Sequence, residues 1–108
     1  MKRGNIATLR MKNMLGIGQL VDKKTYSCQL LHFDKMAESV YLILQDAKLE
    51  SLSLDAIYYC EVQDGEENIS CTGRISERYC GPAGKTVKLK IENGFYKISI
   101  KYVDKQKA

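Results

Sequence analysis

From residue 25 onward the chain reads as strand, turn, strand. Thr25 to Asp34 alternates with period two, placing Tyr26, Cys28 and Leu30 on one side and Gln29, Leu31 and Phe33 on the other. Ser39 to Gln45 is a β-branched and aromatic run suited to a central strand. Asp46 to Leu54, with Leu49, Leu52 and Leu54, fits either a short helical turn or an irregular crossing. Ile57 to Gln63 returns to strand. Asp64-Gly65 and the polar residues after it form turn chemistry, and Ile69 to Arg78 is the expected antiparallel return.

The C-terminal third carries the clearest pattern. Thr86 to Glu92 sets Val87, Leu89 and Ile91 against Thr86, Lys88 and Lys90, giving one apolar and one basic face. Asn93-Gly94 predicts a type I′ hairpin, which needs positive φ at both central residues, with Phe95 to Val103 as the return strand. The single proline, Pro82, lies in the loop Gly81-Pro82-Ala83-Gly84. Short polar turns between such strands predict a mainly all-β fold: a small antiparallel barrel of six to seven strands, with room for a short helix. Residues 25–103 form the barrel domain in this reading. Residues 1–24, with Met11, Met14, Leu15, Ile17 and Leu20, fit an amphipathic helix or a further strand that packs on the barrel or stays partly disordered. Gly16 and Gly18 weigh against a long helix. Residues 104–108 are expected to fray.

At 108 residues and 44% hydrophobic composition the chain is sized for one core. That argues against a two-domain enzyme. No apolar run approaches the ~20 residues that cross a bilayer, and no signal-peptide pattern follows Met1-Lys2-Arg3, so a soluble, cytoplasmic protein without membrane insertion is expected. Cys28, Cys60, Cys71 and Cys80 then read as reduced structural thiols, because no pair has the two-to-four-residue spacing of a zinc knuckle.

The net charge of +4 is unevenly laid out. Residues 1–37 carry seven basic and two acidic groups, residues 38–67 one and eight, and residues 68–108 nine and three. Such segregation allows a basic face opposite an acidic one, although two solvated faces are the simpler outcome.

Several chemical readings fail on residue types. Gly81-Pro82-Ala83-Gly84-Lys85-Thr86 resembles the end of a phosphate-binding loop, but Tyr79 stands where the first glycine is needed and a strand, not a helix, follows. His32 is the lone histidine, and on the alternation it shares the face of Tyr26, Cys28 and Leu30 as a partly buried group. Glu61, Asp64, Glu66 and Glu67 lack a calcium-loop spacing and read as a solvated hairpin. No catalytic constellation, metal site or cofactor is implied. The candidate ligand-binding groups are Arg74, Arg78, Lys88, Lys90, Lys97 and Lys101, which with Tyr79, Tyr96 and Tyr102 would suit a nucleic-acid-binding barrel.

Val40-Tyr41-Leu42-Ile43-Leu44, Leu52-Ser53-Leu54, the hairpin through Asp64-Gly65, Cys71-Thr72-Gly73-Arg74-Ile75, and Val87-Lys88-Leu89-Lys90-Ile91 leading to Phe95-Tyr96-Lys97-Ile98 share a rhythm. It resembles the N-terminal split-barrel-like domain that precedes the PilZ domain in flagellar brakes of the YcgR type. The resemblance covers a little over half the chain. It implies a split-barrel, PilZ-like fold and a regulatory or interaction barrel in cyclic di-GMP signalling, acting on a protein partner or on a second copy of itself. In that family the last strand enters a Gln-Arg-Arg-x-x-x-Arg segment, and an Asp-x-Ser-x-x-Gly motif follows. Here Ile98 is followed by Ser99-Ile100-Lys101-Tyr102-Val103-Asp104-Lys105, and neither motif is present. Lysine lacks arginine's planar bidentate fork, so direct cyclic di-GMP binding is not expected.

Overall fold

In a computed structural model, which describes residues 1–15 and 21–95, the chain is a closed antiparallel barrel of six strands. These are β1 (Ile6–Met14), β2 (Thr25–Asp34), β3 (Ser39–Leu44), β4 (Ala56–Asp64), β5 (Glu67–Gly81) and β6 (Gly84–Gly94). Their spatial order is β1-β2-β3-β6-β5-β4, and β4 closes on β1. Two three-stranded meanders are thus joined by the β3–β4 connection, which carries a short 3-10 turn at Leu49–Ser51. Closure leaves neither meander with an open outer edge along its paired length.

Alternation decides what faces inward. Leu9, Tyr26, Leu42, Tyr58, Cys60, Val87 and Leu89, drawn from five strands, are each no more than 2% exposed and fill the interior. Burying a side chain of this size contributes roughly 1.5–3 kcal/mol, so the lumen is a packed core. Leu52, fully buried, plugs the end crossed by the β3–β4 connection. That connection is held down by polar contacts. The Ser53 amide donates to the Tyr58 hydroxyl at 2.9 Å, the Arg78 guanidinium donates to the carbonyl oxygens of Leu49 and Leu52, and the Lys85 ammonium donates to that of Ala47. The Tyr26 hydroxyl donates to the Asp22 carboxylate beside the same end.

The barrel begins at Ile6. The N-terminal segment, for which helix and strand both stood open, contributes β1, and Ala7, Leu9 and Met11 alternate inward from it. The strands expected at Thr25 to Asp34, Ser39 to Gln45 and Ile57 to Gln63, and the Asp64-Gly65 hairpin, are present.

Two local expectations are corrected. His32 is exposed and does not share the inner face of Tyr26, Cys28 and Leu30. A bulge between Leu30 and His32 advances the register by one residue, so His32 turns outward beside Tyr41, with ring centroids 6.0 Å apart, and Phe33 turns inward. Asn93-Gly94 is not a type I′ turn. Asn93 pairs with Thr72 and Gly94 with Cys71 inside the β5–β6 ladder, and the positive φ values fall at Gly94 (106°) and Phe95 (51°). Glycine is required at position 94 because a Cβ there would lie 2.4 Å from the Cys71 Cα. Phe95 then folds into the core edge-on to Phe33, at 5.5 Å between centroids. The expected return strand lies, from Tyr96 on, outside the described residues. Among the described residues no helix is long and apolar enough to cross a membrane.

Candidate interaction surface

Because inward positions alternate with outward ones, strand pairing also determines what the outer wall displays. One outward row crosses five strands: Thr25 pairs with Arg10, Arg10 with Tyr59, Tyr59 with Thr72, and Thr72 with Asn93. The next row joins Ser27, Thr8, Glu61 and Ser70. Tyr59 stands at the centre with 39% of its surface exposed, a large ring on an otherwise hydroxyl-rich wall. The Arg10 guanidinium carbon lies 5.1 Å and the Lys12 ammonium 5.6 Å from its ring centroid. Both are within cation–π range.

Tyr59 also divides two shallow hollows. One of about 200 Å³ is lined by Thr8, Arg10, Thr25, Tyr59 and Glu61, and one of about 110 Å³ by Tyr59, Ser70, Cys71, Thr72, Asn93 and Gly94. The ion pairs formed among the described residues are Met1 with Asp64 and Arg74 with Glu92, so neither Arg10 nor Lys12 has a carboxylate of a described residue within 4 Å. The wall therefore presents an aromatic face, two held cations and several hydroxyls within a few residues' reach. Of these, tyrosine and arginine are the residue types enriched at protein recognition sites.

The candidates named from sequence are dispersed. The Arg74 side chain pairs with Glu92 at 3.1 Å, Arg78 clamps the β3–β4 connection, and the Lys90 ammonium donates to the Ala37 carbonyl oxygen at 2.9 Å. Lys88 reaches over Tyr41, 5.7 Å from the ring centroid, and sits opposite Glu77. Tyr79 is 40% exposed near the β5–β6 tip. Lys97, Lys101, Tyr96 and Tyr102 lie outside the described residues. Acidic and basic side chains are interleaved along β5 and β6, and the Met1 ammonium meets Asp64 at the acidic β4–β5 tip.

The thiols are free, with Cys28, Cys60 and Cys71 buried and Cys80 exposed. Burial pushes the Cys28 thiol up to about 12. Cys60 is raised too, first by its hydrogen bond with Cys71, its partner across β4–β5, and then by burial. Cys28 and Cys60 therefore favour the neutral form, which suits packing rather than nucleophilic attack.

No family model, curated protein or solved structure matches this chain.

Arg10, Lys12 and Tyr59 were not among the candidates read from sequence. The signal was there in Thr8, Arg10 and Lys12 alternating with Ala7, Leu9 and Met11. Placing them beside Tyr59 requires knowing that β1 closes on β4.

Proposed function

We propose that this chain is a non-enzymatic regulatory or interaction barrel, of the PilZ-associated kind that its sequence rhythm resembles, working in the cytoplasm on a partner protein. The observation that carries this reading is the contrast between a lumen filled by side chains and an outer wall on which Tyr59 is flanked by Arg10 and Lys12. A filled barrel recognises through its surface. Tyrosine and arginine together form the commonest anchors of protein interfaces, and the cation–π contacts hold both cations in place before binding, which lowers the ordering cost. In this reading the barrel does not bind cyclic di-GMP by itself, since Ser99 to Lys105 stands where the resembled family carries its arginine segment.

The alternative, a nucleic-acid-binding barrel that uses the basic C-terminal hairpin, draws less support from the described candidates, because Arg74, Arg78 and Lys90 already have intramolecular partners; Lys97 and Lys101 lie outside the described residues. The test is site-specific photo-crosslinking in cells, with the reactive group at Tyr59 or, beside Tyr41 on the β3–β6 side of the barrel, at Lys88. A discrete protein adduct from position 59 and none from position 88 is expected. No protein adduct from position 59 contradicts the reading.

A further inference from the structure

We infer that the segment docking against Tyr59 is acidic: a carboxylate-bearing stretch of a partner protein that seats beside Arg10 and Lys12. This rests on the reading of that wall as the contact surface. Charge complementarity carries it. Two cations converge on one ring, and neither has a carboxylate within 4 Å among the described residues. A rim cation left unpaired in the free protein gains most from an opposite charge that arrives with the ligand.

The larger hollow suits one carboxylate side chain. Arg10 offers a bidentate fork there, and the neighbouring hydroxyls of Thr8 and Thr25 can donate to further oxygens. The Tyr59 ring gives the following residue an apolar surface, and the smaller hollow beyond it, with Ser70 and Asn93 at its wall, accepts a small or polar side chain.

The same geometry disfavours a nucleic acid. A phosphate chain must be tracked over several units, but Glu61 lines the hollow that Arg10 occupies, and β4 continues toward Asp64, Glu66 and Glu67. Repulsion from those carboxylates grows with each added phosphate, while an acidic peptide needs only one or two charges placed beside Arg10 and Lys12.

The test is fluorescence anisotropy on the intact chain with three labelled probes: a glycine-serine peptide carrying two glutamates, the same peptide with glutamine for glutamate, and oligothymidylate of matching length. The glutamate peptide is expected to bind and to weaken about tenfold as salt rises from about 0.05 to about 0.3 M. The paired substitution Arg10→Gln and Lys12→Gln should weaken it about tenfold again, while Lys88→Gln changes it less than about twofold. On the unmodified protein, the backbone amide resonances of Tyr59 and Thr72 should shift on addition of the peptide, a readout independent of any variant's folding. Equal affinity for the glutamine peptide, tighter binding of oligothymidylate, or no binding of the glutamate peptide each overturns the inference. A protein adduct from position 59 combined with the last result refutes the acidic partner and leaves the contact surface standing.

Discussion

Gly73 lies in β5 opposite Ile91, at a bulge that begins after Thr72, and its backbone touches β6 directly. A Cβ placed there would stand 2.1 Å from the Lys90 carbonyl oxygen and 2.9 Å from the Lys90 carbonyl carbon, more than an ångström inside ordinary contact with the oxygen. Both atoms are backbone, so no side-chain rotation relieves the clash. Gly73→Ala must push β5 and β6 apart within the barrel wall. Overpacking of this kind costs about 1–3 kcal/mol, and one or two weakened ladder hydrogen bonds add about 1 kcal/mol each. The sum, about 2–5 kcal/mol, is a large share of the roughly 5–15 kcal/mol that holds a domain of this size. Gly65, in the β4–β5 turn, is the control: it has φ of 65° but nothing within 4 Å of where a methyl group would stand, so alanine there should cost only about 1 kcal/mol of backbone strain. Urea unfolding followed by circular dichroism compares them through the midpoint at a shared slope. If Gly73→Ala unfolds within about 1 kcal/mol of the parent, or at higher urea than Gly65→Ala, the close β5–β6 approach is wrong.

Arg78→Ala should cost about 1–3 kcal/mol by releasing the carbonyl oxygens of Leu49 and Leu52, and an unchanged urea midpoint would show that this clamp does not hold the connection. A thiol reagent should modify Cys80 rapidly in the native protein and Cys28, Cys60 and Cys71 only on unfolding; rapid native reaction at any of those three contradicts their burial. Stability should fall on the alkaline side. Cys28 is raised from 9.0 to about 12, and burial raises Tyr26 and Tyr58, so the neutral forms that the fold prefers are fully favourable below the unfolded values. That contribution is lost as pH climbs from about 9 toward 12, and urea midpoints that hold steady across this window would refute it. Calorimetry with cyclic di-GMP should show no saturable binding tighter than about 10 μM, and a saturable isotherm below that level would show that other residues read the dinucleotide.

The strands were legible wherever one face is buried, because a two-residue alternation leaves little freedom about which residues turn inward. β2, β3 and β4 follow it closely. β1 was harder, since Met11, Met14 and Leu15 also fit helical spacing and its strand character depends on pairing with both β2 and β4. The alternation misplaces His32 because it assumes a continuous pleat, and a bulge is a matter of register with β3. At Asn93-Gly94 a strong local turn signal coincided with a different requirement: Gly94 is needed because Cys71 lies against it, a tertiary contact with no trace in the dipeptide. The surface was illegible for a related reason. Arg10 and Tyr59 become neighbours only through the closing β1–β4 pair, whereas the basic residues conspicuous in sequence, Arg74, Arg78 and Lys90, are engaged within the fold.

This barrel is proposed to work through the Tyr59 wall. The most direct measurement is recovery of the partner crosslinked at position 59, repeated by affinity capture with three otherwise intact chains: the parent, one carrying Arg10→Ala and Tyr59→Ala, and one carrying His32→Ala and Lys88→Ala around Tyr41. All are outward-facing side chains whose removal leaves the core in place. The same partner should be retained by the parent and by the His32 and Lys88 variant, and lost by at least about tenfold from the Arg10 and Tyr59 variant at an unchanged melting temperature. Retention by the Arg10 and Tyr59 variant, or loss from the His32 and Lys88 variant alone, would contradict it.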